Sequence, residues 1–154
     1  TQKTELFQDS LRDNLRLADP SASDAQLWQA LHAAGLDEEV RAFADGLDTM
    51  LGEGGLGLSG GQARRLALAR LFLHESTLWL LDEATEALNA QTASDVLQRL
   101  RARSAGRTLL IASHLRREAA LADRLLRIRD GRIVEDVRRG TAAFEAALAG
   151  LRAD

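Results

Sequence analysis

Apolar residues change their spacing about halfway along this chain. Up to about residue 75 they recur at helical intervals. Leu27, Ala30, Leu31 and Ala34 share one face, and Leu66, Ala69 and Leu73 share another. Ser10 is placed to cap a short helix over 11–15, before the break at Asp19-Pro20. Ser23 is placed to cap a second helix running to Ala34, with Gly35 as its stop. A further short helix is predicted over 38–44. Residues 52–61 hold six glycines and must form a loop. A helix follows from Gly61 or Gln62 to about His74.

Beyond that point the apolar residues come in short unbroken runs. Residues 77–81 and 107–112 read as strands buried on both faces. Between them Asn89 caps a helix predicted to reach Arg103. A short helix is expected over 115–121. Strands over 125–128 and 132–137 flank Asp130-Gly131, a strong hairpin signal. Thr141 caps a last helix. Strand, helix, strand predicts a parallel sheet with a crossover helix, and the hairpin is expected as an antiparallel addition at one edge. The fold class is therefore α/β.

Composition narrows the picture. With 154 residues, 45% hydrophobic and 28% charged, the chain can build a core. Its net charge of −3 gives no strong attraction to nucleic acid. The absence of cysteine removes disulfides, thiol nucleophiles and Cys zinc sites. Lys3 is the only lysine, so no phosphate-binding lysine lies downstream of it. No apolar run reaches the ~20 residues that span a bilayer. Because the chain starts with Thr1, it reads as part of a longer protein.

Three groups of residues carry chemistry. Leu58-Ser59-Gly60-Gly61-Gln62 opens a helix. Ser59 offers a hydroxyl, and the two glycines let a backbone approach an anion with no Cβ in the way. The helix N-terminus adds partial positive charge at the same place, which suits a γ-phosphate. Asp82-Glu83 ends the apolar strand, where open α/β sheets bind ligands. Asp82 suits Mg²⁺ held through water, and Glu83 suits orienting or deprotonating an attacking water. His114 follows the next strand, 31 residues after Glu83 (114 − 83). If the two strands are neighbours, it reaches the same sheet edge and can fix Glu83 and donate to the phosphate. Gln2 offers a neutral amide that can ligate Mg²⁺ or water. Glu86-Ala87-Leu88-Asn89 could meet a second subunit, and Asn89 by itself is a helix cap. His32 and His74 read as helix-face residues. Arg64, Arg65 and Arg70 read as a solvated or partner-facing surface of the helix that Ser59-Gly60-Gly61 opens rather than a nucleic-acid patch.

These residues resemble the nucleotide-binding domain of ABC transporters. Leu58 to Gln62 match the family's signature motif. Residues 78–83 match its Walker B strand and catalytic glutamate. His114 matches the switch histidine, and Gln2 with Leu6-Phe7 looks like the Q-loop. The order of these motifs is the family's order along essentially the whole chain. Residues 1–7, 11–15, 51–55 and 83–86 look most like one subunit of a bacterial heterodimeric exporter of cysteine and glutathione that supports cytochrome bd assembly.

The resemblance implies a partial RecA-like (P-loop NTPase) parallel sheet with an inserted helical subdomain and without the P-loop strand. It divides the chain into a Q-loop segment (1–7), a helical subdomain (8–75) and the C-terminal part of the core (76–154). It implies ATP and Mg²⁺ as cofactors. The implied partners are a second nucleotide-binding domain in a head-to-tail dimer, in this subfamily a heterodimer, and the transporter's own transmembrane domain, with no nucleic acid. The implied location is the cytoplasmic face of the bacterial inner membrane. Glu83 and His114 would be catalytic. Asp82 and Gln2 would serve Mg²⁺. Leu58, Ser59, Gly60, Gly61 and Gln62 would close on ATP held by the partner.

The sequence departs from the family at Asn89, where Asp is usual, and at Ala84, where Pro is usual. Residues 1–154 alone are expected neither to bind ATP tightly nor to hydrolyse it, and to be unstable or to self-associate through the open apolar strand. The rival readings are a half that only lends its signature to a partner, and a DNA-repair or chromosome-organising ATPase. The second is disfavoured by the short stretch before Leu58, which carries no heptads.

Overall fold

A computed structural model of the chain describes residues 6–52, 54–86 and 88–153. Gln2 lies outside them. Helices α1 (Leu11–Arg16), α2 (Asp24–Ala33) and α3 (Asp37–Ala42) lead through a 3₁₀ turn (Gly46–Asp48) to α4 (Gly60–Leu73). Strand β1 (Leu78–Asp82), helix α5 (Ala90–Arg103) and strand β2 (Thr108–Ala112) follow. The chain continues through α6 (Arg116–Ala119), β3 (Arg124–Arg129), β4 (Arg132–Arg138) and α7 (Ala142–Ala149).

Local capping explains most helix starts. Ser10, Ser23, Ser59, Asn89 and Thr141 each accept a hydrogen bond from the backbone N–H three residues on. This satisfies a donor that has no partner inside the helix. At Ser23 and Ser59 the third residue is Gln, whose side chain bonds back to the cap amide and closes a capping box. Helix α2 stops because Gly35 takes φ +69°. Leu36 N–H then reaches Leu31 O at 2.9 Å and Gly35 N–H reaches His32 O at 3.0 Å, a Schellman ending.

One apolar core joins the helices to the β1–β2 unit. Leu11, Leu15, Leu27, Leu31 and Leu66 pack in the same cluster as Trp79 of β1 and Val96 and Leu100 of α5. A smaller cluster around Phe144 and Leu148 ties α7 to Leu125 and Val137 of the hairpin. Strands β1 and β2 pair in parallel, with Leu78 opposite Thr108 and Asp82 opposite Ala112. Helix α5 makes the crossover between them.

Three expectations need correction. Neither strand is buried on both faces: in β1 Trp79 is 2% exposed while Leu78 and Leu80 are 49% and 63% exposed, and in β2 Leu110 is 57% exposed. Among the described residues one face of β1 is covered, and an unbroken apolar run cannot report how many faces will be. The hairpin does not extend the edge of the parallel sheet; β3 and β4 form a separate two-stranded sheet. Its turn places Asp130 at φ +51° and Gly131 at φ +72°, as a two-residue hairpin loop requires. The arginines of α4 are not a solvated surface but internal braces. Arg70 donates to Asn14 O at 2.7 Å and Oδ1 at 2.6 Å. Arg65 donates to Gly35 O at 2.6 Å and pairs with Glu39 at 2.6 Å. Arg64 pairs with Glu86 at 3.0 Å.

The hairpin carries a pH-dependent contact. Arg124 donates to both oxygens of Asp136, at 2.7 and 2.5 Å. These hydrogen bonds hold the Asp136 carboxyl below its ordinary value of 3.8. A carboxyl depressed in the folded state adds stability that is complete above its unfolded value and disappears as pH falls through its folded value. Asp136→Asn is expected to remove this acid-side dependence. Amide protection of β3 and β4, followed as pH drops, checks it, and parallel profiles for variant and wild type would count against it.

Candidate nucleotide site

The first half of the site is the start of α4. Ser59 is extended (φ −61°, ψ 160°), and its Oγ accepts from Gln62 N–H at 3.2 Å. Gln62 Oε1 accepts from Ser59 N–H at 2.8 Å, and Gln62 Nε2 donates to Glu39 at 2.6 Å. Gln62 therefore shapes the turn, and Leu58 packs against the main core. Ser59 and Gly60 are exposed. A Cβ built on Gly60 would meet no atom within 4 Å. The fold therefore leaves the turn at Ser59 and Gly60 facing solvent, where an anion can approach the helix start.

The second half is the carboxyl end of β1 and β2. Asp82 ends β1, and Glu83 N–H donates to Ala112 O at 2.9 Å, which extends the strand pairing by one step. Glu83 then takes φ +48°, left-handed backbone that costs a non-glycine residue of the order of 1 kcal/mol. This turn brings Glu83 Oε1 to 2.9 Å from His114 Nδ1. A ring protonated at Nδ1 donates to the carboxylate and leaves Nε2 as an acceptor. Arg152 NH1 lies 3.5 Å from that nitrogen and can serve as its donor. Asp82 and Glu83 line a cavity of about 320 Å³ with Arg64, Leu68 and Leu80. Asn89 caps α5 through Thr92 N–H at 2.9 Å.

Two contacts around Glu83 were not legible in the sequence. Glu86 offers an oxygen within 4.8 Å of ligand atoms of both Glu83 and His114, and Arg64 grips it from α4. Behind them lies a buried knot. Glu118 Oε1 accepts from both Thr85 N–H and Thr85 Oγ1, each at 2.6 Å. Arg117 donates to Thr85 Oγ1 at 3.0 Å and to Thr85 O at 2.7 Å. Glu118 and Thr85 are both fully buried. One signal could have revealed Glu118: it stands at helical spacing from Leu115 and beside Ala119, on the face that α6 buries.

The sequence matches the ABC transporter family over residues 1–86. It is 42% identical over 134 residues to the Escherichia coli glutathione/L-cysteine transport system ATP-binding/permease protein CydC, covering 87% of this chain and 23% of that protein. It is 43% identical over 131 residues to the Mycobacterium tuberculosis mycobactin import ATP-binding/permease protein IrtB, covering 85% of this chain and 23% of that one. A solved bacterial Atm1-family ABC exporter with ATP bound superposes with a TM-score of 0.80 at 32% identity, over 97% of this chain and 27% of its own. An α/β core with a phosphate-suited helix start and an acidic strand end belongs with the P-loop NTPase folds. The chain is a member of the ABC transporter family, corresponding to part of an exporter's ATP-binding domain, and it spans under a quarter of these curated relatives' length.

Proposed function

We propose that this chain supplies half of each of two ATP sites in a membrane exporter and that hydrolysis there drives transport. Ser59 and the N–H groups of Gly60 and Gly61 receive the γ-phosphate of ATP seated on a second nucleotide-binding domain, with Leu58 and Gln62 holding the turn in shape. Asp82 and Glu83, joined by His114, serve ATP on this chain's own side. The carboxylate donor set at the end of β1 suits a hard cation, so Asp82 would hold Mg²⁺, with Gln2 as a further ligand on the family resemblance. Bound Mg²⁺ would supply charge to offset that developing on the phosphoryl oxygens. Glu83 accepts the proton of the attacking water, and His114 holds its carboxylate in line. The helical subdomain (8–75) carries the signature and the core (76–154) carries the acidic strand, with residues 1–7 as the Q-loop segment on the family resemblance.

The partners would be a second domain in a head-to-tail dimer, heterodimeric on the likeness to CydC, and a transmembrane domain that keeps the chain at the cytoplasmic face of a bacterial inner membrane. The same likeness supports thiol compounds such as cysteine and glutathione as cargo, linked to cytochrome bd assembly. Near-equal similarity to IrtB, named for mycobactin import, makes cargo the property to be tested.

The observation that carries the reading is the uncrowded surface at Gly60. Its own fold has no need of a glycine there, since a Cβ meets nothing and alanine favours a helix. A glycine that its own fold does not call for leaves the backbone bare to a group approaching from outside the chain. In the intact transporter Gly60→Ala should leave the melting temperature level or slightly raised and cut ATP turnover about tenfold or more, because a misplaced phosphate costs at least that much. Turnover equal to wild type would remove the reading's main support.

A further inference from the structure

Helix α4 and the end of β1 are the two elements of the proposed site, and an ion pair ties α4 to the loop that follows β1. Arg64 lies one turn beyond Gly60 on α4. Its NH1 donates to Glu86 Oε2 at 3.0 Å and to Glu86 backbone O at 3.2 Å. The grip therefore fixes both the side chain and the loop backbone three residues after Glu83. Glu86 in turn sits with Glu83 and His114, ligand atoms within 4.8 Å of one another. Arg64 and Glu83 also line the same cavity.

We propose that Arg64 and Glu86 form a positioning latch that transmits the placement of the signature helix to the Glu83 carboxylate in the same chain. This rests on the ATPase reading above. The physical argument has three parts. Helix α4 is anchored by Ala63, Leu66, Leu68 and Ala69, all buried, so Arg64 keeps a fixed place relative to the exposed N-terminus one turn before it. Two carboxylates that close repel, and a cation held against one of them offsets that repulsion. Arg64 is the cation at hydrogen-bond distance here, and its hydrogen bond is the main cause holding Glu86 below the usual carboxylate range. Finally, Glu83 already sits in strained left-handed backbone, so its position depends on what grips the loop that follows. Engagement of a phosphate at Gly60 and Gly61 is thereby sensed at the acidic end of β1, and the signature of one site reports to the base of the other.

The pair is about one-third exposed, with 29% and 35% of the two side chains accessible, and an ordinary surface ion pair would do little. Kinetics separates the two roles. In the full transporter, Arg64→Ala and Glu86→Ala should each lower kcat for ATP about fivefold with KM unchanged, and the double variant should fall no further, since groups acting as one unit are not additive. Arg64→Gln, which keeps the aliphatic stem, replaces Arg64→Ala if that variant does not assemble. Glu83→Gln is assayed beside them. If it abolishes turnover while the Arg64 variants match wild type, or while the two losses multiply, the latch is overturned and the ATPase reading stands. If Glu83→Gln turns over like wild type, the ATPase reading falls and the latch falls with it.

Discussion

Replacing Glu83 by Gln in the intact transporter is expected to lower ATP turnover by about a hundredfold or more, the usual contribution of a positioned general base. The amide is isosteric with the carboxylate, so the left-handed turn at residue 83 and the hydrogen bond from its backbone N–H to Ala112 O should persist. An amide oxygen still accepts from His114 but is far too weak a base to take a proton from water. ATP binding should therefore survive, and nucleotide should accumulate on closed dimers. Single-turnover assays with radiolabelled ATP separate binding from cleavage. Undiminished turnover would assign cleavage to the partner's site and leave this chain as the half that only lends its signature.

The largest effect on stability is expected at Glu118, which no motif contains. Glu118→Ala removes the shared acceptor of Thr85 N–H and Thr85 Oγ1, both in a fully buried setting. Burying donors without partners costs about 1–3 kcal/mol each, and a side-chain-sized void adds to it, so a loss of about 3 kcal/mol is expected. Glu118→Gln keeps the accepting oxygen. Its amide nitrogen would take the place of Oε2, which has no hydrogen-bond partner, so a smaller loss of about 1 kcal/mol is expected. Thermal unfolding of the purified protein checks the order. A melting point unchanged by Glu118→Ala would show that Thr85 finds another acceptor. Activity should fall as well, because Thr85 is the second residue after Glu83 and Arg117 and Glu118 hold it from both sides.

The meeting of Glu83 and His114 was readable in the sequence on the condition that their two strands are neighbours. Each follows an apolar run, and two such runs joined by a crossover helix pair side by side in parallel, which puts their ends together. The 2.9 Å contact is the local consequence. The grip of Arg64 on Glu86 was not readable in the same way. The two lie 22 residues apart, and each is an ordinary charged residue on a polar stretch. Arg65 and Arg70 mislead for the same reason, since arginine carries an aliphatic stem and a planar head that can brace backbone carbonyls as readily as meet solvent.

Helix starts, the α2 stop, the hairpin turn and the capping box at Ser59 follow from residues within a few positions of one another. Short-range hydrogen bonds and backbone preferences decide them, so the sequence determines them without help from the rest of the fold. Which face of β1 is covered, where the arginines of α4 reach, and what holds Thr85 depend on surfaces that meet only after the chain has closed on itself. Those were decided by packing around Trp79 and Leu66 and by the need of buried polar groups for partners, because hydrophobicity marks a residue for burial without naming its neighbour.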